Sequence, residues 1–306
     1  MATATLLLPA RDRLAGTLAV DAVARALARA DRLGGEAGEQ AQLRRHFSLP
    51  QSHWPVAALT RQLDASDAAG ATWLRADPAY VVPDMHGARM MGHGDTLGVD
   101  AEDVAALLPD LAPMFADAGF VLDAPDPARW YLRLSPEAQL PDFTDPDDAL
   151  GDDLFAHLPT GEAGRRWRAL LTESQVLLHQ HPWNRQRIAR GRPAINSLWF
   201  WGGGRLPGAV ASPYGQVRSR DSLLRALAAA AGVSVDADGQ VDALVDLRHL
   251  RSLPQFSDEV VQPLLAAMRR GELDRLVLDF QDGAGLALRP SQRWRFWRRP
   301  WAGLQG

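Results

Sequence analysis

The most informative stretch of the sequence is residues 177–206, LLHQHPWNRQRIARGRPAINSLWFWGGGRL. Pro182 ends the helical pattern before it, because proline removes a backbone donor and clashes with the preceding turn. The apolar run from Ile195 to Trp201 predicts a buried strand that leaves through three glycines. Around it, apolar strands alternate with helices of about 10–15 residues, which predicts an α/β fold with a mostly parallel sheet.

The same patterns divide the chain into a main body and an insert. We predict that residues 1–65 and 140–306 form the main α/β domain, and that residues 66–139 form a smaller, cap-like α+β insert. In the insert, Asp100 is predicted to cap a helix that directs Leu107 and Leu111 inward. Residues 135–153, rich in Pro and Asp, are predicted to be the solvated linker back to the main body.

Composition excludes several kinds of chemistry. The chain has 306 residues, a formal net charge of −4, and neither cysteine nor lysine, so all 33 basic residues are arginine. This excludes a Schiff base, a thiolate nucleophile, disulfides and cysteine-ligated metals. Mild acidity argues against a nucleic-acid partner. The sequence contains no run of about 20 apolar residues that would span a membrane, and it shows no targeting segment, so we expect a cytoplasmic protein.

The glycine run suggests an anion site. A strand that leads into glycines exposes backbone N–H groups, and ligands bind at the carboxyl ends of parallel strands. Arginine adds a bidentate fork for phosphate or carboxylate. We therefore predict a pocket for a small phosphorylated or carboxylated ligand, formed by His181, Asn184, Arg187, Asn196, Gly202, Gly203, Gly204 and Arg205. In the alternative interpretation, the glycines form only a tight strand exit, and Trp199 and Trp201 belong to the core.

Several segments together carry a family resemblance. Residues 172–206, with the segments 76–78 (ADP) and 129–132 (RWYL) and the Trp/Arg-rich tail at 294–301, resemble the RpfE-type regulatory proteins of bacteria, named for regulation of pathogenicity factors. Those proteins in turn resemble the archaeal-type cofactor-independent phosphoglycerate mutases and the alkaline-phosphatase-like superfamily. The shared pattern here is Asn184 and Arg187, followed by Asn196 and the glycine exit. The resemblance implies an alkaline-phosphatase-like three-layer sandwich.

The resemblance also implies two divalent metals in the active members, held by an Asp after the first strand and a later Asp/His cluster. This sequence instead has Pro9 and Ala10 after the first strand, and Asp246, His249 and Asp258 lack the close Asp–Gly–His arrangement. Two-metal phosphoryl transfer needs converging ligands. We therefore assign no catalytic residues and predict no cofactor, with two divalent metals only if the chain is an active mutase, and we interpret the chain as a catalytically degenerate regulatory protein. The alternatives are an active metal-dependent phosphoglycerate mutase or phosphatase, and a protein–protein interaction module.

The tail at residues 293–301, RWRFWRRPW, mixes four arginines with three tryptophans and a phenylalanine. Such a mixture can stack on bases, lie in an anionic membrane interface or dock on a protein, and a protein is the partner that we expect. The favoured interpretation, however, is that the rings pack against the body of the protein while the arginines pair with aspartates.

Overall fold

The computed structural model describes residues 2–18, 21–50, 53–85, 87–236 and 242–304. Its strands are β1 (Thr3–Leu8), β2 (Asp31–Gly34), β3 (Thr72–Asp84), β4 (Gly87–His93), β5 (Val121–Asp126), β6 (Arg129–Leu134), β7 (Ser197–Arg205), β8 (Gln216–Arg218), β9 (Ser234–Val235), β10 (Ala243–Asp246), β11 (Arg275–Phe280) and β12 (Ala284–Leu288). Its helices are α1 (Asp21–Arg29), α2 (Glu39–Arg44), α3 (Val56–Ala65), α4 (Ala101–Asp117), α5 (Pro146–Ala149), α6 (Gly161–Gln180), α7 (Pro182–Ala189), α8 (Ser222–Ala230), α9 (Leu253–Gln255) and α10 (Gln262–Arg270). The chain divides into two compact units: unit 1 is residues 1–50 with 209–306, and unit 2 is residues 51–208.

Unit 1 contains a seven-stranded sheet in the order β2-β12-β11-β1-β10-β8-β9. β1 pairs in parallel with β10 and β11, and the parallel pairing continues through β8 to β9. β12 is antiparallel to both β11 and β2. Because β1 is central, Leu6, Leu7 and Leu8 are all buried, as expected for a strand covered on both faces. The predicted α/β class with a mostly parallel sheet is confirmed.

The helix at the start of the chain is shorter than its sequence pattern. The apolar spacing of residues 17–33 predicts a helix up to Leu33, but α1 ends at Arg29 and residues 31–34 form the edge strand β2. β2 pairs with β12, with Asp31 opposite Ala287 and Gly34 opposite Ala284. This partner lies about 250 residues further along the chain, so helical periodicity near residue 30 carries no sign of it.

Unit 2 contains a five-stranded sheet in which every pair is antiparallel. β3 pairs with β4, β6 and β7, and β5 pairs with β6. β7 runs along β3 from Ser197 opposite Ala79 to Arg205 opposite Thr72. The prediction that this strand lies in the parallel sheet is therefore wrong. The pairing also places the predicted insert, residues 66–139, in the same unit as residues 140–208. The observed units divide at residues 50 and 208, whereas the predicted domains divide at residues 65 and 139.

The apolar core of unit 2 lies between this sheet and the helices α4 and α6. Asp100 caps α4 as predicted, since its side chain accepts hydrogen bonds from two backbone N–H groups of the first turn. Leu107 and Leu111 are fully buried on the inner face of the helix. Phe120 stacks on Trp167 of α6, with 5.2 Å between ring centroids. None of the helices in the described part of the chain is long and apolar enough to cross a membrane.

The Asp-rich segment of residues 135–153 packs within unit 2, contrary to the prediction of a solvated linker. Pro146 and Ala149 in α5 are buried, and the indole of Trp199 donates a hydrogen bond to the carbonyl of Thr144 at 3.0 Å. Asp145 caps α5 by accepting from the N–H of Asp147. The prediction failed because apolar residues are interspersed among the aspartates, and some of the carboxylates satisfy backbone donors of the turns.

Asp145 should make stability depend on pH. Burial, and then the neighbouring Asp147 and Asp148, raise the pKa of its carboxyl to about 6. An acid whose pKa is raised by folding favours the native state at low pH, and this contribution is lost as pH rises from about 4 to about 6. We expect Asp145→Asn to stabilise unit 2 by about 1–3 kcal/mol at about pH 7.5 and to have little effect at about pH 4 in urea titrations. The exposed Asp142→Asn, in the same segment, is the control, and an Asp145→Asn effect that is equal at both pH values would contradict this account.

Candidate functional site

Asn184, a predicted ligand residue, is turned toward the backbone. Its side-chain amide donates to the carbonyls of Leu178 at 2.8 Å and Ile195 at 2.7 Å, and its oxygen accepts from the N–H of Ile195 at 2.8 Å. Asn184 is only 5% exposed. The side chain therefore joins the end of α6 to the residues that lead into β7.

Arg187, the second residue of the Asn-x-x-Arg pattern, lies in a buried ion pair. Its guanidinium pairs with Asp103 of α4, and the two side chains are 1% and 0% exposed. The remaining donors reach the carbonyls of Pro193 at 2.9 Å and Leu97 at 2.8 Å. Burial opposes the ionisation of Asp103, but hydrogen bonds from Arg187 and Trp183 hold the pKa of its carboxyl below the usual range. The guanidinium is therefore directed at protein groups.

His181 and Asn196 also have protein partners. The Nδ1 of His181 accepts from the N–H of Trp183 at the start of α7, and its Nε2 lies 3.1 Å from a carboxylate oxygen of Asp110. The amide of Asn196 makes a pair of hydrogen bonds with the backbone of Val81, at 2.8 and 2.7 Å. The first residue thus caps a helix, and the second fastens the start of β7 to β3.

The glycine run is in close contact with the protein itself. Gly202 has a φ of +64°, and a Cβ placed on it would lie 2.9 Å from the Cβ of Val56 in α3. A Cβ on Gly203 would lie 2.4 Å from a methyl carbon of Leu140. Gly204 is packed in the same way against the residue that precedes α3. The glycines lie within β7, which continues to Arg205, so the interpretation of a strand exit is wrong; Gly202 and Gly204 instead let the start of α3 approach this strand.

The structure thus distributes the predicted anion-site residues over three local contacts. His181, Asn184 and Arg187 lie around the α6–α7 turn, Asn196 lies against β3, and the glycines lie against α3. Arg205, at the end of β7, is exposed. Anion binding by these residues stays a prediction, and Arg205 is the arginine of the set that is exposed.

A different group of charged residues lies where ligands bind in α/β sheets. Asp246 ends β10, Asp279 lies one residue before the end of β11, and Leu7 of β1 is in register with both. The two aspartates therefore flank β1 at the same level, with backbones about 10 Å apart. We refer to Asp246, Asp279 and their side-chain partners as the sheet-edge site. Its position, near the carboxyl ends of parallel strands, is the usual place for a site in this fold class.

Asp246 is neutralised by an arginine two residues further along the chain. Arg248 donates from Nε to one carboxylate oxygen at 2.8 Å and from Nη2 to the other at 2.9 Å, and the hydroxyl of Ser219 donates at 2.7 Å. Arg248 also pairs with Glu39 of α2. Burial opposes the ionisation of Asp246, but Arg248 and Ser219 keep its pKa below the usual range, and the same pairing raises the pKa of Arg248. This aspartate is thus an ionised carboxylate with a fixed counter-charge.

Asp279 has partners from the turn after α2. Arg45 donates to both of its carboxylate oxygens, at 2.7 and 3.0 Å, and the Nε2 of His46 lies 2.5 Å from one of them. The Nδ1 of His46 lies 2.7 Å from the hydroxyl of Tyr214, whose pKa is raised mainly by burial. Asp279, His46 and Tyr214 form a continuous hydrogen-bonded chain. The turn after α2 therefore supplies the partners of Asp279, whereas α2 reaches Asp246 only indirectly, through the pairing of Glu39 with Arg248.

The sheet-edge site does not fit the metals that the resemblance implies. Asp246 and Asp279 each bind a guanidinium in bidentate fashion, so a cation at either carboxylate would have to displace an arginine. His249 and Asp258 are exposed and make no cluster with them. Among the described residues, no group of three or more His, Asp or Glu side chains is arranged to hold a metal ion. We derive no metal-dependent step for this arrangement.

Sequence reasoning identified Asp246 as a candidate but missed Asp279 and its partners. One signal was available, because Asp279 ends the apolar run 276–279 (LVLD) as Asp246 ends the run 243–246 (ALVD). Polar residues at the ends of buried strands mark this edge of a sheet. The partner His46 is 233 residues away in the sequence, and nothing local indicates that it reaches Asp279.

Comparison with known proteins shows partial similarity to phosphoglycerate mutases. No protein-family model matches the chain. A probable 2,3-bisphosphoglycerate-independent phosphoglycerate mutase of Geobacter sulfurreducens is 36% identical over 96 residues, which is 29% of this chain and 24% of that protein. The 2,3-bisphosphoglycerate-independent phosphoglycerate mutase of Methanothrix thermoacetophila is 27% identical over 177 residues, 44% of this chain and 45% of that protein. The chain thus matches less than half the length of these curated relatives.

Two solved structures give matches over most of the chain. A cofactor-independent phosphoglycerate mutase from Thermoplasma acidophilum has a TM-score of 0.42 and 17% identity, covering 94% of this chain and 89% of that one. The PH0037 protein from Pyrococcus horikoshii has a TM-score of 0.45 and 12% identity, with coverages of 94% and 87%.

The two arginines of the predicted anion site should differ in their effect on stability. Arg187→Ala leaves the buried Asp103 without its main counter-charge, so we expect a loss of about 3–5 kcal/mol in the free energy of unfolding. The exposed Arg205→Ala should change it by less than about 0.5 kcal/mol. Urea denaturation of both variants and the wild type measures the difference. A stable Arg187→Ala variant would contradict the structural role of this ion pair.

Proposed function

We propose that this chain is a cytoplasmic regulatory protein and a catalytically degenerate relative of the cofactor-independent phosphoglycerate mutases. The partial identity to curated mutases supports the relationship. The resemblance of residues 172–206 and of the Trp/Arg tail to RpfE-type proteins supports the regulatory role. The alkaline-phosphatase-like architecture is part of the same proposal.

One observation carries the loss of catalysis. The two carboxylates near the carboxyl ends of the central strands, Asp246 and Asp279, are each bound by an arginine in bidentate fashion. A divalent metal needs these oxygen lone pairs and is repelled by a guanidinium at the same place. The end of β1 adds no ligand, since Pro9 and Ala10 have no side-chain oxygen or nitrogen. Phosphoryl transfer by two clustered metals is thus disfavoured by the residues themselves.

Ligand binding without turnover is the second part of the proposal. A small phosphorylated or carboxylated molecule would form charge-assisted hydrogen bonds with an exposed guanidinium. Arg205 offers such a group at the end of β7, next to the three glycines of that strand. The other predicted members of the set, such as Asn184 and Arg187, act by holding the α6–α7 turn and the start of β7 in place.

Binding and turnover of 3-phosphoglycerate test the proposal together. We expect calorimetry to detect binding to the wild type that Arg205→Ala weakens about tenfold, the loss of one charge-assisted contact. We expect no conversion to 2-phosphoglycerate by a coupled assay with added Mn²⁺, Zn²⁺ or Mg²⁺. The exposed Arg220→Ala is the matched control and should bind as the wild type does.

Each outcome bears on a separate part of the proposal. Metal-dependent conversion by the wild type would establish the alternative, an active phosphoglycerate mutase, and overturn the degenerate interpretation. Equal binding by the wild type and Arg205→Ala would remove Arg205 from the site. Absence of both binding and turnover would leave the third class, a protein-interaction module.

A further inference from the structure

Residues 290–301, which we name the aromatic loop, are fastened to unit 1 at their start. The side-chain amide of Gln292 is buried and donates to the carbonyl of Ala287 in β12 at 3.0 Å. Arg295 pairs with Asp31 of β2 at 2.6 Å and donates to the carbonyl of Arg29 at 2.8 Å. These contacts fix the backbone on both sides of Trp294.

The end of the aromatic loop is fastened as well. The N–H of Trp301 donates to the carbonyl of Ala24 in α1, and the ring packs against the core of unit 1 with Arg32 above it. Leu304, three residues later, is buried. For Trp301 and Arg295, the expectation that the tail packs against the body and pairs with an aspartate agrees with the structure.

For the other three rings that expectation is wrong. The side chains of Trp294, Phe296 and Trp297 are 66%, 77% and 67% exposed. Phe296 and Trp297 contact each other edge to face, with 5.6 Å between ring centroids. Exposing three large rings in four residues is costly in water, and an anchored loop that does so marks an interaction surface.

The same loop is strongly positive. Four arginines and no acidic residue lie within residues 290–301, in a chain whose formal net charge is −4. Of these arginines, Arg295 is tied to Asp31, whereas Arg298 and Arg299 are exposed beside the rings and Arg293 lies over the ring of Trp294. The charge and the aromatic surface therefore coincide.

We propose that the aromatic loop docks this protein on the surface of an anionic lipid bilayer. Tryptophan and phenylalanine rings insert at the level of the headgroups, where an amphipathic ring is most stable. Each arginine near the surface is attracted by the negative potential of anionic lipids. This is peripheral binding by a folded loop, and no helix of the chain needs to enter the membrane.

A lipid surface fits the pattern better than a protein or a nucleic acid. Tryptophan and arginine are also enriched in protein interfaces, but an interface has an apolar core and a polar rim, whereas here the arginines alternate with the rings along the loop. Single-stranded nucleic acid requires a positive groove that follows its backbone, while this positive charge is confined to one short loop of an acidic chain. A bilayer offers phosphate groups and an apolar layer to every residue of the loop at once.

Vesicle co-sedimentation tests the proposal. The wild type should bind vesicles of phosphatidylcholine with about one third phosphatidylglycerol, and should bind pure phosphatidylcholine at least about tenfold more weakly. The triple variant Trp294→Ala/Phe296→Ala/Trp297→Ala and the triple variant Arg293→Ala/Arg298→Ala/Arg299→Ala should each lose at least about tenfold in affinity. Both should keep the wild-type unfolding midpoint, because the replaced side chains are exposed or lie over an exposed ring.

The control is Phe155→Ala/Ile188→Ala, which removes two apolar side chains that are 60% and 61% exposed in unit 2. This control should bind vesicles as the wild type does. Brominated lipids should quench the tryptophan fluorescence of the wild type and of the control, and should quench that of the ring variant, which lacks Trp294 and Trp297, less. The proposal is overturned if the wild type does not bind anionic vesicles at low salt, or if the control loses as much as the ring variant. It is equally overturned if oligo-dT or polyglutamate binds the loop more tightly than the vesicles do, which would point to a nucleic-acid or a protein partner.

Discussion

Ion pairs between arginine and buried aspartate hold the local structure of both units. A guanidinium is planar, permanently charged and able to bind both oxygens of a carboxylate, so it compensates a buried negative charge where an ammonium would do so less well. This chain contains no lysine, so the long cationic side chains that pair with its aspartates are all arginines. Removing one partner of such a pair leaves an uncompensated charge in the interior. The pairs concerned are Arg187 with Asp103, Arg75 with Asp77, and Arg45 with Asp279.

At the sheet edge, the same interaction determines what chemistry is possible. Asp246 and Asp279 occupy the positions near the strand ends where an α/β sheet places its functional groups. Arg248 and Arg45 use the lone pairs that a metal would need, and Glu39 of α2 adds a further link through Arg248. A fold can be retained while its site changes, because function depends on the site and not on the fold. The proposal of a degenerate mutase relative rests on these arginines, which stand at Asp246 and Asp279 where metal ions would be the counter-charges.

Features encoded by local patterns were predictable from the sequence. The cap at Asp100 and the buried face of α4 follow from a capping residue and helical spacing, and the parallel strands of unit 1 follow from short apolar runs between helices. The predictions failed where the partner is distant. Arg187 looked like an anion ligand because Asp103, 84 residues earlier, gives no local sign of its presence, and the partner of β7 is equally non-local. The glycine run was ambiguous because close approach of a ligand and close approach of α3 require the same absent Cβ.

In the sheet-edge site, arginines occupy the carboxylate oxygens to which a metal ion would bind. The decisive experiment is a crystal structure of the protein grown with excess Mn²⁺, with anomalous diffraction measured for manganese. We expect no anomalous peak within bonding distance of Asp246 or Asp279, with Arg248 and Arg45 still bound to them. A manganese ion coordinated by either carboxylate, with its arginine displaced, would show that the site still binds metal.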